Sequence, residues 1–281
     1  MTKTVFITGA SAGFGRHFTE EGLRLGYNVV ATARRLDRLE ALAAQAPDRV
    51  LPLALDVDRP DTVKTAVDAA VRRFGRIDVL INNAGYGLVG ALEETPAEEW
   101  QAVFRTNLFG AVETTRAVLP VMRAQASGMI VNISSMGGQL SFAGFSAYSA
   151  TKFALEGLSE ALADEVKGMG IKVMIVEPGA FRTDFAGGAL RHMPVIDAYD
   201  AGVGPTRAFA HDMDATQPGD PVKAAQAVFQ AIGSDTPPLR LALGNDALDG
   251  IRAHAVAVLK DLADWEAVSR GAVFQPEPAS V

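Results

Sequence analysis

Polar and apolar positions follow two alternating regimes along this chain. Short runs of branched and aromatic residues, bounded by turn residues, predict strands at Val5–Thr8, Asn28–Thr32, Val50–Ala54, Val79–Ile81, Met129–Ile133, Lys172–Val176 and Arg240–Leu243. Between them, apolar residues recur at helical spacing over about 14–25, 36–45, 60–73, 96–124, 147–167, 221–232 and 246–267. Strands alternating with helices predict an α/β protein whose parallel sheet is covered on both faces. No repeat or low-complexity linker interrupts the pattern, so residues 1–281 read as one domain. The segment from about 180 to 220 departs from it. Gly187, Gly188, Pro194, Gly202, Gly204, Pro205, Pro218 and Gly219 leave no sustained period, and a long irregular stretch inside a compact domain usually serves function, here as a substrate-binding lid. The tail at about 275–281, Gln-Pro-Glu-Pro-Ala-Ser-Val, reads as frayed.

The first strand runs straight into Gly9-Ala-Ser11-Ala-Gly13-Phe14-Gly15, and a helical pattern follows with Phe18, Leu23 and Leu25. Glycines at such a junction let the backbone turn tightly and approach a pyrophosphate, at which the next helix points its free N–H groups and dipole. Near the middle of the chain stands Tyr148-Ser-Ala-Thr-Lys152, with Ser135 thirteen residues before the tyrosine. A phenol is a poor acid at neutral pH, its ordinary pKa being near 10. Residues four apart share a helix face, so the Lys152 ammonium can lie beside the phenol and draw its pKa down toward the range of a general acid–base catalyst.

Thr8-Gly9-x-x-x-Gly13-x-Gly15, Asn82-Asn83-Ala84-Gly85, Asn107, Ser135, Tyr148-x-x-x-Lys152 and Pro178-Gly179 with Thr183 occur in that order. Together they resemble the short-chain dehydrogenase/reductase family, over about residues 3 to 185. Tyr86-Gly87, the stretch Phe153–Gly157 and the long last helix are similar to its hydroxysteroid-dehydrogenase-like branch. The resemblance implies a single-domain, doubly wound Rossmann fold with a seven-stranded, mainly parallel sheet. It also implies an oxidoreductase that interconverts a carbonyl compound and its alcohol with a nicotinamide cofactor. One departure is Phe14, where the family more often has an aliphatic residue; it is expected to pack under the loop.

The family pattern carries over residue by residue. Tyr148 passes the proton, Ser135 polarises the carbonyl oxygen, Lys152 lowers the tyrosine pKa and holds the nicotinamide ribose, and Asn107 positions a water that links Lys152 to solvent. Gly9, Ser11, Gly13, Phe14 and Gly15 form the phosphate loop. Asp56-Val57 meets the adenine, although Asp56 also fits a turn ahead of Asp58 and Pro60. Asn83, Ala84 and Gly85 let the cofactor approach the backbone. Pro178-Gly179 opens the lid, and Thr183 meets the carboxamide or diphosphate.

Cofactor choice is read from the end of the second strand. Ala33 stands where an NAD-binding carboxylate would be, and Arg34-Arg35 follow. A guanidinium can hold a 2′-phosphate through two parallel hydrogen bonds, which points to NADP(H). Alternatively the two arginines only begin a charged helix face continued by Asp37, Arg38 and Glu40. Met136, Phe142 and Phe145 between serine and tyrosine, with Phe181, Phe185, Met193 and Tyr199 on the lid, would line an apolar pocket for a bulky hydrophobic ketone or aldehyde. Each of them could instead fill the core.

Composition narrows the rest. A net charge of −7 without a long basic run argues against a nucleic-acid partner. The absence of cysteine excludes thiolate catalysis and disulfides, and four scattered histidines show no metal-ligand spacing. No apolar run approaches membrane-spanning length and the N-terminus does not read as a signal peptide, so the expectation is cytoplasmic. Two rival readings stand beside the oxidoreductase one: a non-catalytic NADP-binding sensor, and an isomerase with retained nicotinamide. Apolar residues on several faces of 96–124 and 147–167 fit the pairing of these helices in family oligomers, a homodimer or homotetramer.

Overall fold

The structure, a computed structural model, describes residues 2–274. The tail expected to fray at 275–281 lies outside the described residues. Seven strands build the main sheet: β1 (Thr4–Ile7), β2 (Asn28–Ala33), β3 (Val50–Ala54), β4 (Val79–Asn82), β6 (Gly128–Ile133), β7 (Ile171–Pro178) and β9 (Arg240–Leu243). Two further strands, β5 (Gly87–Val89) and β8 (Leu190–His192), pair with each other in a separate ribbon. The helices are α1 (Gly13–Arg24), α2 (Asp37–Gln45), α3 (Pro60–Phe74), α4 (Ala97–Phe104), α5 (Gly110–Gln125), α6 (Ser146–Val166), α7 (Asp200–Asp212), α8 (Pro221–Ile232), α9 (Asn245–Asp264) and α10 (Glu266–Gly271). Among the described residues no helix is long and apolar enough to cross a membrane.

The sheet order is β3-β2-β1-β4-β6-β7-β9, and every pairing in it is parallel. Alternation along β1 explains the layering. Val5 and Ile7 join a core with Phe18, Leu39, Val228 and Phe229 on one face, while Phe6 joins Val63, Val118 and Leu162 on the other. The chain leaves β1 toward β3, then returns to β4 on the other side. That reversal opens a crevice at the carboxyl ends of β1 and β4, where open α/β sheets bind their ligands.

Three features differ from the expectations. The helix expected over 96–124 is broken by a π-helical turn at Arg105–Phe109, which separates α4 from α5. The lid is not irregular: it holds β8 and the thirteen-residue α7. Gly202, Gly204 and Pro205 hide that helix in the sequence, but Val203 and Ala210 anchor it by burial. The last helix stops at Asp264, and α10 follows as a separate turn.

Candidate active site

The glycine loop is shaped by what a side chain would hit. Gly9 and Gly13 take φ of 67° and 51°, the left-handed region that disfavours other residues. A Cβ on Gly15 would clash with the Gly9 carbonyl oxygen and lie 2.6 Å from Asn83 Nδ2. α1 then begins at Gly13 with no side-chain cap and no acidic residue in its first turn, which leaves its N-terminal donors for an outside anion. These residues fit a dinucleotide pyrophosphate. Phe14 packs as expected, 5.8 Å from the ring of Phe18.

Around the loop, Thr8 does work that the sequence reading left unassigned. Its Oγ1 accepts from the backbone N–H of Asn83 at 2.9 Å and of Ala84 at 3.0 Å, joining β1 to the end of β4. Asn83 Nδ2 returns bonds to the carbonyls of Thr8 (2.9 Å) and Gly9 (3.1 Å). Its side chain therefore braces the loop. Thr183 reaches the same place from the lid: a Cβ on Gly13 would lie 3.6 Å from Thr183 Cβ. Gly179 packs against Asp246, whose Oδ2 accepts from Ala180 N–H at 2.7 Å and pins the lid root to α9.

Arg34 and Arg35 are exposed beyond Ala33 at the end of β2, and among the described residues neither guanidinium has a hydrogen-bond partner. Asp56 serves the turn, its Oδ1 accepting from Asp58 N–H at 3.1 Å.

The residues expected to react stand just past β6 and on α6. Ser135 lies just past β6, with its Oγ accepting from Gly137 N–H at 3.0 Å. A Cβ on Gly137 would sit 3.3 Å from that oxygen and 3.5 Å from Tyr148 Cε1, so glycine leaves the room in which serine and tyrosine approach. Lys152 is buried. Its Nζ lies 5.7 Å from the Tyr148 ring centroid and donates to the Ile133 carbonyl at 2.8 Å. The net shift of the phenol runs upward, against the lowering expected from a neighbouring cation, because burial outweighs what opposes it. Desolvation pushes Tyr148 up to about 12, with Ser135 pulling the other way. Burial pulls Lys152 down to about 8, against the attraction of Glu156. At neutral pH the proton therefore rests on the phenol, ready to be donated.

Asn107 sits in the π-helical turn, a feature that often marks functional sites. Its amide is occupied: Nδ2 donates to Tyr86 O at 2.8 Å and to Thr151 Oγ1 at 3.2 Å, and Oδ1 accepts from Tyr86 N–H at 3.0 Å. The side chain thus clamps the turn at Tyr86. Gly85 is enclosed by this arrangement, since a Cβ there would be 3.0 Å from Asn107 Oδ1 and 3.8 Å from Lys152 Nζ.

The expected substrate-lining residues divide. Phe145 and Phe185 flank the Tyr148 ring, with centroids 6.0 and 5.8 Å away. Phe142 stands on the surface, 49% exposed. Met136 points toward α9, its Cε 3.0 Å from where a Cβ on Gly250 would be. The other three correct the expectation. Phe181 packs on Phe14 at 5.3 Å, at the lid root. Met193 is buried with Leu88, Val103 and Ala147, because the β5–β8 pairing draws it under the catalytic helix. Tyr199 donates its hydroxyl to Glu93 at 2.6 Å. The lid is further held by Glu94, a buried carboxylate that accepts from Ala91 N–H (2.6 Å) and Ile196 N–H (2.8 Å) and pairs with Arg207. No local sequence signal marks Glu94 and Arg207, which are 113 residues apart.

A glycine cradle fit for a dinucleotide at the switch point of a doubly wound sheet, with a buried phenol beside a serine and a buried lysine, accords with an oxidoreductase of the nicotinamide-dependent class. The family model for short chain dehydrogenases matches residues 3–193, and the chain belongs to that family. It is 41% identical over 250 residues to Oxidoreductase BOA17 of Botryotinia fuckeliana, covering 89% of this chain and 91% of that one. A 3-ketodihydrosphingosine reductase of Bacteroides thetaiotaomicron is 44% identical over 181 residues, 64% of this chain and 65% of that protein. Among solved structures, a short-chain dehydrogenase from Streptomyces avermitilis superposes with a TM-score of 0.92 at 50% identity, over 97% of this chain and 100% of that one. Other solved structures of this fold carry NAD or NADP.

Proposed function

We propose that this chain is an NADP(H)-dependent carbonyl reductase, reversible as an alcohol dehydrogenase, acting on a bulky apolar ketone or aldehyde. The observation that carries the reading is the Tyr148 phenol, held protonated between Phe145 and Phe185 with Ser135 and Lys152 beside it. Tyr148 gives its proton to the carbonyl oxygen, and Ser135 donates a hydrogen bond that fixes that oxygen and stabilises the charge developing on it. As the phenol becomes phenolate, the Lys152 ammonium stabilises it. A bound nicotinamide supplies or accepts the hydride. Gly9, Ser11, Gly13, Phe14 and Gly15 would hold its pyrophosphate at the start of α1. Val57, Ala84, Gly85, Pro178, Gly179 and Thr183 would line the remainder, with Asp56 offering its second carboxylate oxygen to the adenine. Asn107 acts through the turn it clamps.

Preference for NADP(H) rests on Ala33 in place of a carboxylate and on the exposed Arg34, which makes no hydrogen bond among the described residues, beside Arg35. The substrate class rests on the two rings around Tyr148, and the sphingoid-ketone reductase among the relatives fits it. Phe109 and Phe153 are 55% and 45% exposed beside and on the long helices, which supports assembly of copies through α5 and α6. The test is NADPH oxidation across aldehydes and ketones graded in size, including a long-chain 3-ketone, with NADH in parallel. Consumption with NADPH well above NADH, rising with apolar bulk, is expected. No consumption in either direction overturns the reading.

A further inference from the structure

Beneath the reacting groups lies a buried pair of carboxyls that the proposed reaction leaves unused. Glu156 stands one turn beyond Lys152 on α6, and Glu177 directly precedes Pro178 in β7; their side chains are 5% and 2% exposed. Gln139 Nε2 donates to Glu156 Oε2 at 3.1 Å and to Glu177 Oε1 at 3.0 Å. Arg240 of β9 brings its Nε to the same two oxygens, at 3.0 and 3.3 Å, and pairs through its other nitrogen with Glu160 at 2.9 Å. Ser134 faces Glu156 from the end of β6. Two buried acids thus share one guanidinium and one amide.

The cluster adjoins three segments of the site. Gln139 follows the short turn at 136–138 that begins at Ser135. Glu156 shares its helix face with Lys152, and Glu177 leads into the lid root. Nothing in the chemistry of hydride transfer demands two carboxyls here. Buried charge is costly unless it is used or compensated, and one arginine compensates one of the two.

We propose that Glu156 is a positioning residue for the reaction, an anion anchored by Gln139, Arg240 and Glu177 that keeps Lys152 an ammonium while Tyr148 transfers its proton. This rests on the assignment of Tyr148 and Lys152 made above. Burial is what draws the lysine down to about 8, and Glu156 is the influence that opposes it. Burial and then repulsion from Glu156 push Glu177 up to about 7, and burial raises Glu156 as well. As pH rises through neutrality Glu177 loses its proton and adds negative charge to the cluster, just below the range in which Lys152 would lose its own. The cluster therefore supports the ammonium where it is most at risk.

The experiment is the pH profile of kcat/KM for carbonyl reduction in Glu156→Gln, Glu177→Gln and Tyr148→Phe. Loss of the Lys152 proton sets the alkaline limb, because the phenol holds its own proton far higher. Glu156→Gln moves that limb down by about one pH unit, the size of a neighbouring charge's effect. Glu177→Gln keeps the Glu156–Arg240 pair and moves the limb the same way by less; it carries the test if Glu156→Gln does not fold. A limb that stays in place in both variants, with Tyr148→Phe inactive, overturns this inference and leaves the reaction standing. An equal loss of rate at every pH overturns it too, as the mark of a packing role. An active Tyr148→Phe overturns the inference together with the reaction.

Discussion

Asn107 holds both backbone groups of Tyr86, giving a hydrogen bond to its carbonyl at 2.8 Å and taking one from its N–H at 3.0 Å. Asn107 lies in the π-helical turn, and the residue it grips stands just before β5. Asn107→Leu leaves two main-chain groups unpaired, at a cost of about 2–4 kcal/mol if both stay buried. A fall in melting temperature with a lower kcat is expected, and Asn107→Asp should lose only the donated half. Unchanged melting in Asn107→Leu would refute the clamp.

Tyr148→Phe keeps the ring between Phe145 and Phe185 and removes the proton. Turnover should fall by about 10²–10⁴, the range for a general acid, while NADPH still binds by fluorescence titration. Near-normal turnover would remove Tyr148 from the reaction.

Arg34 projects beyond β2 without a hydrogen-bonding partner among the described residues. Arg34→Ala should raise the NADPH KM by roughly tenfold or more, the worth of a charge-assisted bond, and leave the NADH KM nearly unchanged. Equal effects on both cofactors would make Arg34 a surface residue only.

Glu94 is wholly buried and its ion pair with Arg207 ties the lid helix to the segment after β5. Removing one partner of a buried pair strands the other charge, which costs about 3–5 kcal/mol. Arg207→Ala should therefore expose the lid to limited proteolysis and raise substrate KM, with NADPH affinity retained. A lid as resistant as in the parent protein would show that the ribbon and Tyr199 hold it alone.

Glu177 gives a pH dependence of stability with a definite sign. Its folded pKa of about 7 lies above its ordinary 4.5, so the folded state keeps a proton that the unfolded chain releases between those values. The stability this brings is present below about 4.5 and is lost as pH rises to 7. Glu177→Gln should consequently melt higher than the parent at pH 8, by about 2–4 °C per kcal/mol gained, and the gap should close at pH 5. A constant gap across that range would deny the shift.

The five inner strands of the main sheet could be read because parallel strands buried on both faces are continuous apolar runs, and the half-buried edge strands β3 and β9 still carry short apolar runs. The proposed catalytic residues could be read because their spacing is local: thirteen residues from Ser135 to Tyr148, and one helical turn to Lys152. What escaped depends on distant partners. Whether Phe181 faces substrate or Phe14 is decided by the lid root, and Met193 is turned inward by a three-residue pairing with β5. α7 carries Pro205, a residue that ordinarily ends a helix, and only the burial of Val203 and Ala210 overrides it. The pKa order of Tyr148 and Lys152 depends on desolvation, which a four-residue spacing does not encode.

The β5–β8 ribbon has one further consequence. It ties the segment that carries Phe185 to the turn gripped by Asn107, while Ser135, Tyr148 and Lys152 stand on the rigid β6–α6 frame. Under the proposed function, selectivity and chemistry are thereby housed in separate pieces of chain that meet along three residues. On that reading, exchanging the stretch between those anchors should change the substrate and leave the proton-transfer residues in place.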